Sequence, residues 1–317
     1  MRVAMTGISG YLGGLVARRL AEEPAVESIL GLDLVPPPAA LPKVEFQRAD
    51  VRDADFARLL AGADALYHLA FVVEPPKRMS IAEIDRINVE GSRRAFEGAA
   101  AAGASRIVYA SSVAAYGARP DNPEVLTEDS PLRPNQDHYY SRAKGQVEAI
   151  LDDFQARHPG IVVVRFRPPI FLGPTITNPI GRQLSGRVLL NLGPNVRLDY
   201  LWDGDVAEAF ALALAYGRSD VFNLSSGAPL TTDQVGELLG RRVVRVNLRL
   251  VQAVGRAAAA VGLISGPMLE WIVTLQGSIC VSADRARERL GWRPRFDSAG
   301  ALLEFARRGG ARKDTRG

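Results

Sequence analysis

Apolar and polar positions along the 317-residue chain follow two alternating rhythms. Short apolar runs recur at RVAMT (2–6), SILGLD (28–33), VEFQRAD (44–50), DALYHLAF (64–71), RIVYAS (106–111) and IVVVRF (161–166). Between them lie helix-like stretches at 11–23, 53–61, 81–102 and 139–158. Strands that read as continuous apolar runs are buried on both faces. Their alternation with helices predicts an α/β fold with a doubly wound parallel sheet. After Gly173-Pro174 the rhythm changes. Residues 175–200 read as irregular, 205–217 as a helix and 221–225 as a strand. Thr231 or Thr232 is placed to cap a helix running through Leu239. Residues 249–275, rich in Ala, Val and Leu, predict one or two helices broken near Gly266-Pro267; the segment 284–292 and a last helix near 299–308 close the chain. The expected organisation is a sheet domain over 1–174, to which the chain returns near 205–225. Residues 175–200 and 226–317 then form a smaller C-terminal lobe for the substrate.

Composition narrows the function classes. With 47% hydrophobic and 23% charged residues the chain is globular, not disordered. A pI near 9.4 invites a nucleic-acid partner. However, Arg307, Arg308, Arg312, Lys313 and Arg316 against Asp314 carry the whole net charge of +4. The rest is balanced, so the basic end reads as a frayed terminus rather than a binding arm. The single cysteine, Cys280, permits no internal disulfide and suits a reducing cytoplasm. His68, His138 and His158 have no metal-ligand spacing. The opening MRVAMTG reads as a strand rather than a signal peptide, and no charge-free apolar run reaches the roughly 18 residues of a membrane span.

Two groups of residues carry chemistry. After the first strand comes TGISGYLGG, with Gly7, Gly10 and Gly13 spaced G-x-x-G-x-x-G. A glycine loop between strand and helix lets the backbone approach a pyrophosphate at the positive helix end. Asp33 ends the second strand, twenty residues beyond Gly13. A carboxylate there accepts hydrogen bonds from both hydroxyls of an adenosine ribose and repels a 2′-phosphate, which favours NAD over NADP. The other reading of Asp33 is a turn residue before three prolines. Asp50-Val51 ends the third strand; Asp50 suits either an adenine amino group or a helix N-cap.

Further on, Tyr140 and Lys144 stand four apart on one face of a predicted helix. A free tyrosine titrates near ~10, and a neighbouring ammonium favours the phenolate. Such a tyrosine can exchange a proton with a carbonyl or alcohol oxygen while hydride moves to or from nicotinamide. A serine from the SSVAAYG stretch (111–117) can fix that oxygen.

With these residues the chain resembles the short-chain dehydrogenase/reductase superfamily, in its extended NAD-dependent epimerase/dehydratase branch. TGISGYLG is similar to that branch's T-G-x-x-G-x-x-G. Further similarities are ADVRD (49–53), HLA (68–70), NVEG (88–91), YASSVAAYG (109–117), YSRAK (140–144), RPPIFLGP (167–174), FNLSSG (222–227) and LGWRP (290–294). The resemblance implies a Rossmann-type fold and NAD as cofactor. It makes Ser112 the catalytic serine, Tyr140 the acid/base and Lys144 its modulator, also bound to the nicotinamide ribose. It puts Tyr11 and Leu12 at the pyrophosphate, with Leu69 and Ala70 along the dinucleotide. Asn88 would sit near the dinucleotide and Pro169 beside the nicotinamide. A homodimer through the helices near 81–102 and 139–158 follows from the same likeness.

Departures from the family pattern bear on the substrate. Val113 and Ala114 stand where 4,6-dehydratases carry an Asp-Glu pair, so elimination of water is disfavoured. Ile170 and Leu198 stand at positions where nucleotide-sugar epimerases carry Asn and Arg, and no arginine precedes Arg285 in LQGSICVSAD (275–284). Arg197, Arg182 or Arg187 could compensate. These changes, with the apolar stretch 249–275, favour hydride transfer at a secondary alcohol or ketone of an apolar or weakly polar small molecule. A nucleotide-sugar 4-epimerase and a non-catalytic NAD-binding regulator are the alternatives. Trp202 and Trp271 read as core residues or pocket walls.

Overall fold

The computed structural model describes residues 1–74, 76, 79–176, 179–191, 196–247, 250–251, 253–254 and 277–309. Its strands are β1 (Arg2–Thr6), β2 (Ser28–Asp33), β3 (Val44–Arg48), β4 (Ala65–His68), β5 (Arg106–Ala110), β6 (Val162–Arg167), β7 (Ile170–Leu172), β8 (Val188–Asn191), β9 (Arg197–Leu198), β10 (Tyr200–Trp202), β11 (Asp220–Asn223), β12 (Leu230–Thr231) and β13 (Arg242–Arg245). Seven of them form one sheet in the order β11-β6-β5-β4-β1-β2-β3, every pair parallel. This is the doubly wound Rossmann-type arrangement. The strand order reverses between β1 and β4, whose carboxyl ends Thr6 and His68 are paired in register. In such sheets ligands bind in the crevice outside that reversal.

The described α-helices are α1 (Tyr11–Ala21), α2 (Phe56–Leu59), α3 (Ile81–Asp85), α4 (Gly91–Ala101), α5 (Tyr139–Arg157), α6 (Pro179–Ser185), α7 (Asp203–Leu212), α8 (Thr232–Leu239) and α9 (Ser298–Arg307), with π-helical segments at Arg86–Glu90 and Ala286–Leu290. Side chains alternate across the sheet. Val3 and Met5 pack with Val16 and Leu20 of α1 and Phe210 of α7. Ala4 faces the other way, toward Phe96 of α4 and Leu151 and Phe154 of α5. A third cluster joins Leu172, Tyr200, Trp202, Leu302 and Phe305. Trp202 is thus a core residue.

The elements differ locally from the sequence expectations. The helix expected at 53–61 is one turn, Phe56–Leu59, because the Asp55 side chain accepts from the Arg58 N–H and starts it late. The strand expected over 64–71 stops at His68, where Leu69 and Ala70 turn to bond Thr6. The helix expected over 81–102 carries a π-helical segment, Arg86–Glu90. Residues 175–200, read as irregular, hold α6 and three short strands. Thr231, not Thr232, caps α8, with Gln234 completing a capping box. The expected helices of 249–275 fall almost wholly outside the described residues, as do Trp271 and the basic end beyond residue 309. No described helix is long and apolar enough to cross a membrane.

Candidate active site

The glycine loop lies at the β1 carboxyl end. Gly7 has φ +74°, and a Cβ there would lie 2.6 Å from the Ala70 backbone nitrogen. Only glycine fits both constraints. A Cβ on Gly13 would lie 2.0 Å from the Gly7 carbonyl oxygen, so the start of α1 rests directly on the loop. Gly10 is the N-cap of α1 and offers no side chain to its first-turn amides, and no acid occupies that turn. The helix end is therefore free to receive an anion, and the loop fits a pyrophosphate. Asp33 accepts from the Ser9 N–H (3.1 Å) and the Leu34 N–H (2.7 Å). Each oxygen keeps a further lone pair for a hydroxyl.

Other predicted contact residues approach this crevice in different ways. Leu12 packs its side chain into the core, so only its backbone can meet a ligand. Tyr11 turns its phenol away, donating to Asp203 Oδ2 at 2.5 Å; burial raises both groups. Leu69 and Ala70 border the loop, with the Ala70 N–H donating to Thr6 Oγ1. Asn88 lies in the π segment and grips the Val72 backbone, accepting from its N–H (2.7 Å) and donating to its carbonyl (3.0 Å). It positions the 69–73 loop. Asp50 is held by Arg52, whose backbone and guanidinium both donate to it (2.5–3.0 Å), and it caps no helix. Val51 packs beneath Gly91, where a Cβ would meet it at 2.7 Å. Pro169 is buried beside Pro168, whose carbonyl accepts from the Val113 N–H (3.1 Å).

Ser112, Tyr140 and Lys144 come together between the β5 end and α5. The Ser112 hydroxyl lies near enough to the Tyr140 phenol to favour its phenolate, and donates to the Pro168 carbonyl at 3.5 Å. Its oxygen also accepts from the Ala114 N–H at 3.2 Å, starting the 3-10 turn Val113–Tyr116. Lys144 Nζ donates to the Ala110 carbonyl (2.6 Å) and to Tyr109 (3.4 Å), and stands 3.4 Å from the centre of the Phe71 ring. Its distance to the Tyr140 ring centre is 5.7 Å. Burial pushes the Lys144 value well below that of an ordinary lysine, opposed by the Glu148 charge. Burial likewise raises Tyr140, opposed by Ser112. The sequence led us to expect Lys144 to draw the phenol down; here desolvation outweighs that effect, and Ser112 is the group that favours the phenolate.

Sequence reasoning missed what lies beneath. Ser111 does not end the strand; its hydroxyl donates to Glu148 Oε1 at 2.6 Å. Glu148 is fully buried and ion-paired with Arg165 (3.1 Å) and Arg167 (2.8 Å), which hold its carboxyl down at about 2. Arg167 reaches on to the Tyr116 hydroxyl (2.7 Å), which donates to Asn223 Oδ1 (2.8 Å). Two arginines inside the apolar run IVVVRFR were the available signal, because buried guanidiniums require a buried acid. Among the described residues no cluster of His, Cys, Asp and Glu could hold a metal ion.

Comparison with known proteins fixes the class. The model of the NAD dependent epimerase/dehydratase family matches residues 3–225. The chain belongs to that family; it is an enzyme, and NAD is its cofactor. An uncharacterized protein of Mycobacterium tuberculosis is 25% identical over 96% of this chain and 83% of its own. The UDP-glucose 4-epimerase of Streptococcus mutans is 27% identical over 96% of each chain. The structure of MoeE5 in complex with UDP-glucuronic acid and NAD superposes with a TM-score of 0.76 at 22% identity, over 97% of this chain and 99% of that one.

Proposed function

We propose that the enzyme transfers hydride at a secondary alcohol or ketone of an apolar or weakly polar molecule. The observation that carries this reading is the grouping of Ser112 and Tyr140 beside Lys144, whose Nζ stands 5.7 Å from the Tyr140 ring centre, with apolar Val113 and Ala114 following Ser112. Bound NAD supplies the hydride acceptor or donor. In the oxidative direction the substrate C–H electron pair leaves with its proton as hydride. Tyr140, in the phenolate form that Ser112 favours, takes the hydroxyl proton, and Ser112 holds the oxygen as the carbonyl forms. Reduction runs the same steps backwards. Gly7, Gly10, Gly13 and the first-turn amides of Tyr11 and Leu12 would hold the pyrophosphate, and Asp33 the adenosine ribose. Val113 and Ala114 cannot serve as a second proton carrier for removing water.

The weakly polar substrate is favoured by how cations are placed. Leu198 and Ile170 belong to the apolar cluster around Trp202. Arg285 is engaged with Asp129 (2.7 Å) and lies near Glu128 and Asp220. Arg197 is half-exposed beside Glu124 (3.6 Å). A diphosphate calls for paired cations. A second reading, nucleotide-sugar 4-epimerisation, is favoured by the full-length likeness to the Streptococcus mutans enzyme. Offering UDP-glucose and a panel of secondary alcohols with NAD separates the two. The first reading expects NADH to accumulate with an alcohol. Conversion of UDP-glucose to its 4-epimer without NADH would replace it by the second.

We further propose a cytoplasmic homodimer paired through α4 and α5, which lie side by side and are tied by the Arg157–Glu97 ion pair (2.6 Å). Light scattering at twice the monomer mass is the expected result.

A further inference from the structure

Two consecutive residues at the β5 end are held by α5. Ala110 receives a hydrogen bond from Lys144 and Ser111 donates to Glu148, and Ser112, next in the chain, lies beside Tyr140. The α5 partners, at positions 140, 144 and 148, form one stripe along the helix. The geometry points to Glu148 as a positioning residue for the Ser112–Tyr140–Lys144 set. It tethers the strand end that carries Ser112 and sets a negative charge one turn beyond the Lys144 ammonium. The inference rests on the reading of those three residues given above.

Lys144 has little else to keep it charged. It faces the Tyr109 phenol of β5, the Phe71 ring after β4, and Tyr140 on its own helix. His68 of β4 feels its charge and is itself held neutral by burial. Arg165 and Arg167 of β6 are cations bonded to the Glu148 carboxylate. Glu148 is thus the acid that opposes the desolvation of Lys144. An uncompensated buried ammonium surrenders its proton rather than stay charged. A neutral Lys144 would offer Tyr140 no ammonium.

The chain makes a direct test possible, because it holds only four lysines, Lys43, Lys77, Lys144 and Lys313. Protein labelled with 13C at lysine Cε then shows four side-chain signals, and Lys144→Met identifies the buried one. Titration by NMR needs neither substrate nor cofactor. The expected result is a Lys144 midpoint that falls by about one pH unit in Glu148→Gln, a tenfold change in proton affinity. In Glu148→Asp, which keeps the charge and shortens the reach to Ser111, it stays within a few tenths. Glu148→Gln leaves two guanidiniums without their acid and risks the fold. In Glu148→Gln/Arg167→Gln, one charge of each sign is removed and Arg165 keeps Asp152 (2.7 Å); the midpoint falls there too. A Lys144 midpoint unchanged in whichever of these two variants folds overturns the inference. Intact turnover in Tyr140→Phe would instead sink the assignment of the reacting set and leave the titration result standing.

Discussion

Gly13 and Gly14 are neighbours in the first turn of α1, yet alanine should act on them with opposite sign. At Gly13 the added Cβ meets the Gly7 carbonyl oxygen at 2.0 Å, the Gly7 carbonyl carbon at 2.9 Å and Ile8 Cα at 3.0 Å. All three are backbone atoms and cannot rotate away. Restoring an ordinary contact of 3.4 Å to the oxygen requires the helix start and the glycine loop to separate by 1.4 Å. Overpacking of this kind costs about 1–3 kcal/mol. The separated parts are also the two halves of the phosphate cradle. Losing a hydrogen bond to a charged group costs about 1.5–3 kcal/mol, so NAD affinity should fall roughly ten- to hundredfold. At Gly14 the nearest atoms are the mobile Arg18 guanidinium at 3.7 Å and the Ile8 carbonyl at 4.0 Å. Alanine fits, and its helix preference adds about 0.5–1 kcal/mol of stability. Urea unfolding without cofactor gives the stability terms, and titration followed by NADH fluorescence gives the affinities. Equal stability and equal NAD binding in Gly13→Ala and Gly14→Ala would refute the cradle.

Asp33→Asn keeps the shape but removes the charge that favours a ribose diol, so NAD binding should weaken about tenfold and preference over NADP should narrow; parallel titrations with the two cofactors measure both. Acid should destabilise the protein from pH 6.5 downward. His68 is buried between Thr6 (2.8 Å) and Ser92 (2.9 Å), and burial lowers it from 6.5 to about 3. The unfolded chain binds the proton first, so this stability is complete above pH 6.5 and declines toward 3, with a slope of up to about 1.4 kcal/mol per pH unit for each such group; His138, lowered by burial to about 4, adds a second loss of the same sign. Glu148, lowered from 4.5 to about 2, adds a further loss between those values. Urea midpoints taken from pH 7 to pH 4 should fall, and His68→Asn should make the part above pH 4.5 less steep, with His138 left to titrate there; a flat wild-type profile contradicts this.

Much of the fold was legible because strands buried on both faces advertise themselves as apolar runs. The glycine loop was legible because Gly7 and Gly13 are fixed by backbone contacts that no other residue fits. The π segment was not, since it coincides with a side-chain grip of Asn88 on Val72 that periodicity does not encode. Glu148 escaped for a different reason. On a helix, an acid four residues beyond a lysine reads as an ordinary surface pair. Only packing against Arg165 and Arg167 reveals it as buried. The direction of the Tyr140 shift was not legible because spacing conveys proximity but not desolvation, and at complete burial desolvation is the larger effect. The substrate is least legible, because Ile170, Leu198 and the arginine-free stretch 275–284 speak only through what they lack.

The most direct test of the central claim is the rate of NADH formation by Tyr140→Phe with a secondary alcohol that the wild-type enzyme oxidises. Phenylalanine keeps the ring contact with Phe71 (5.6 Å between centres) and removes only the hydroxyl. The account predicts a rate lower by about 10²–10⁴-fold with NAD affinity unchanged. A rate equal to wild type would contradict it.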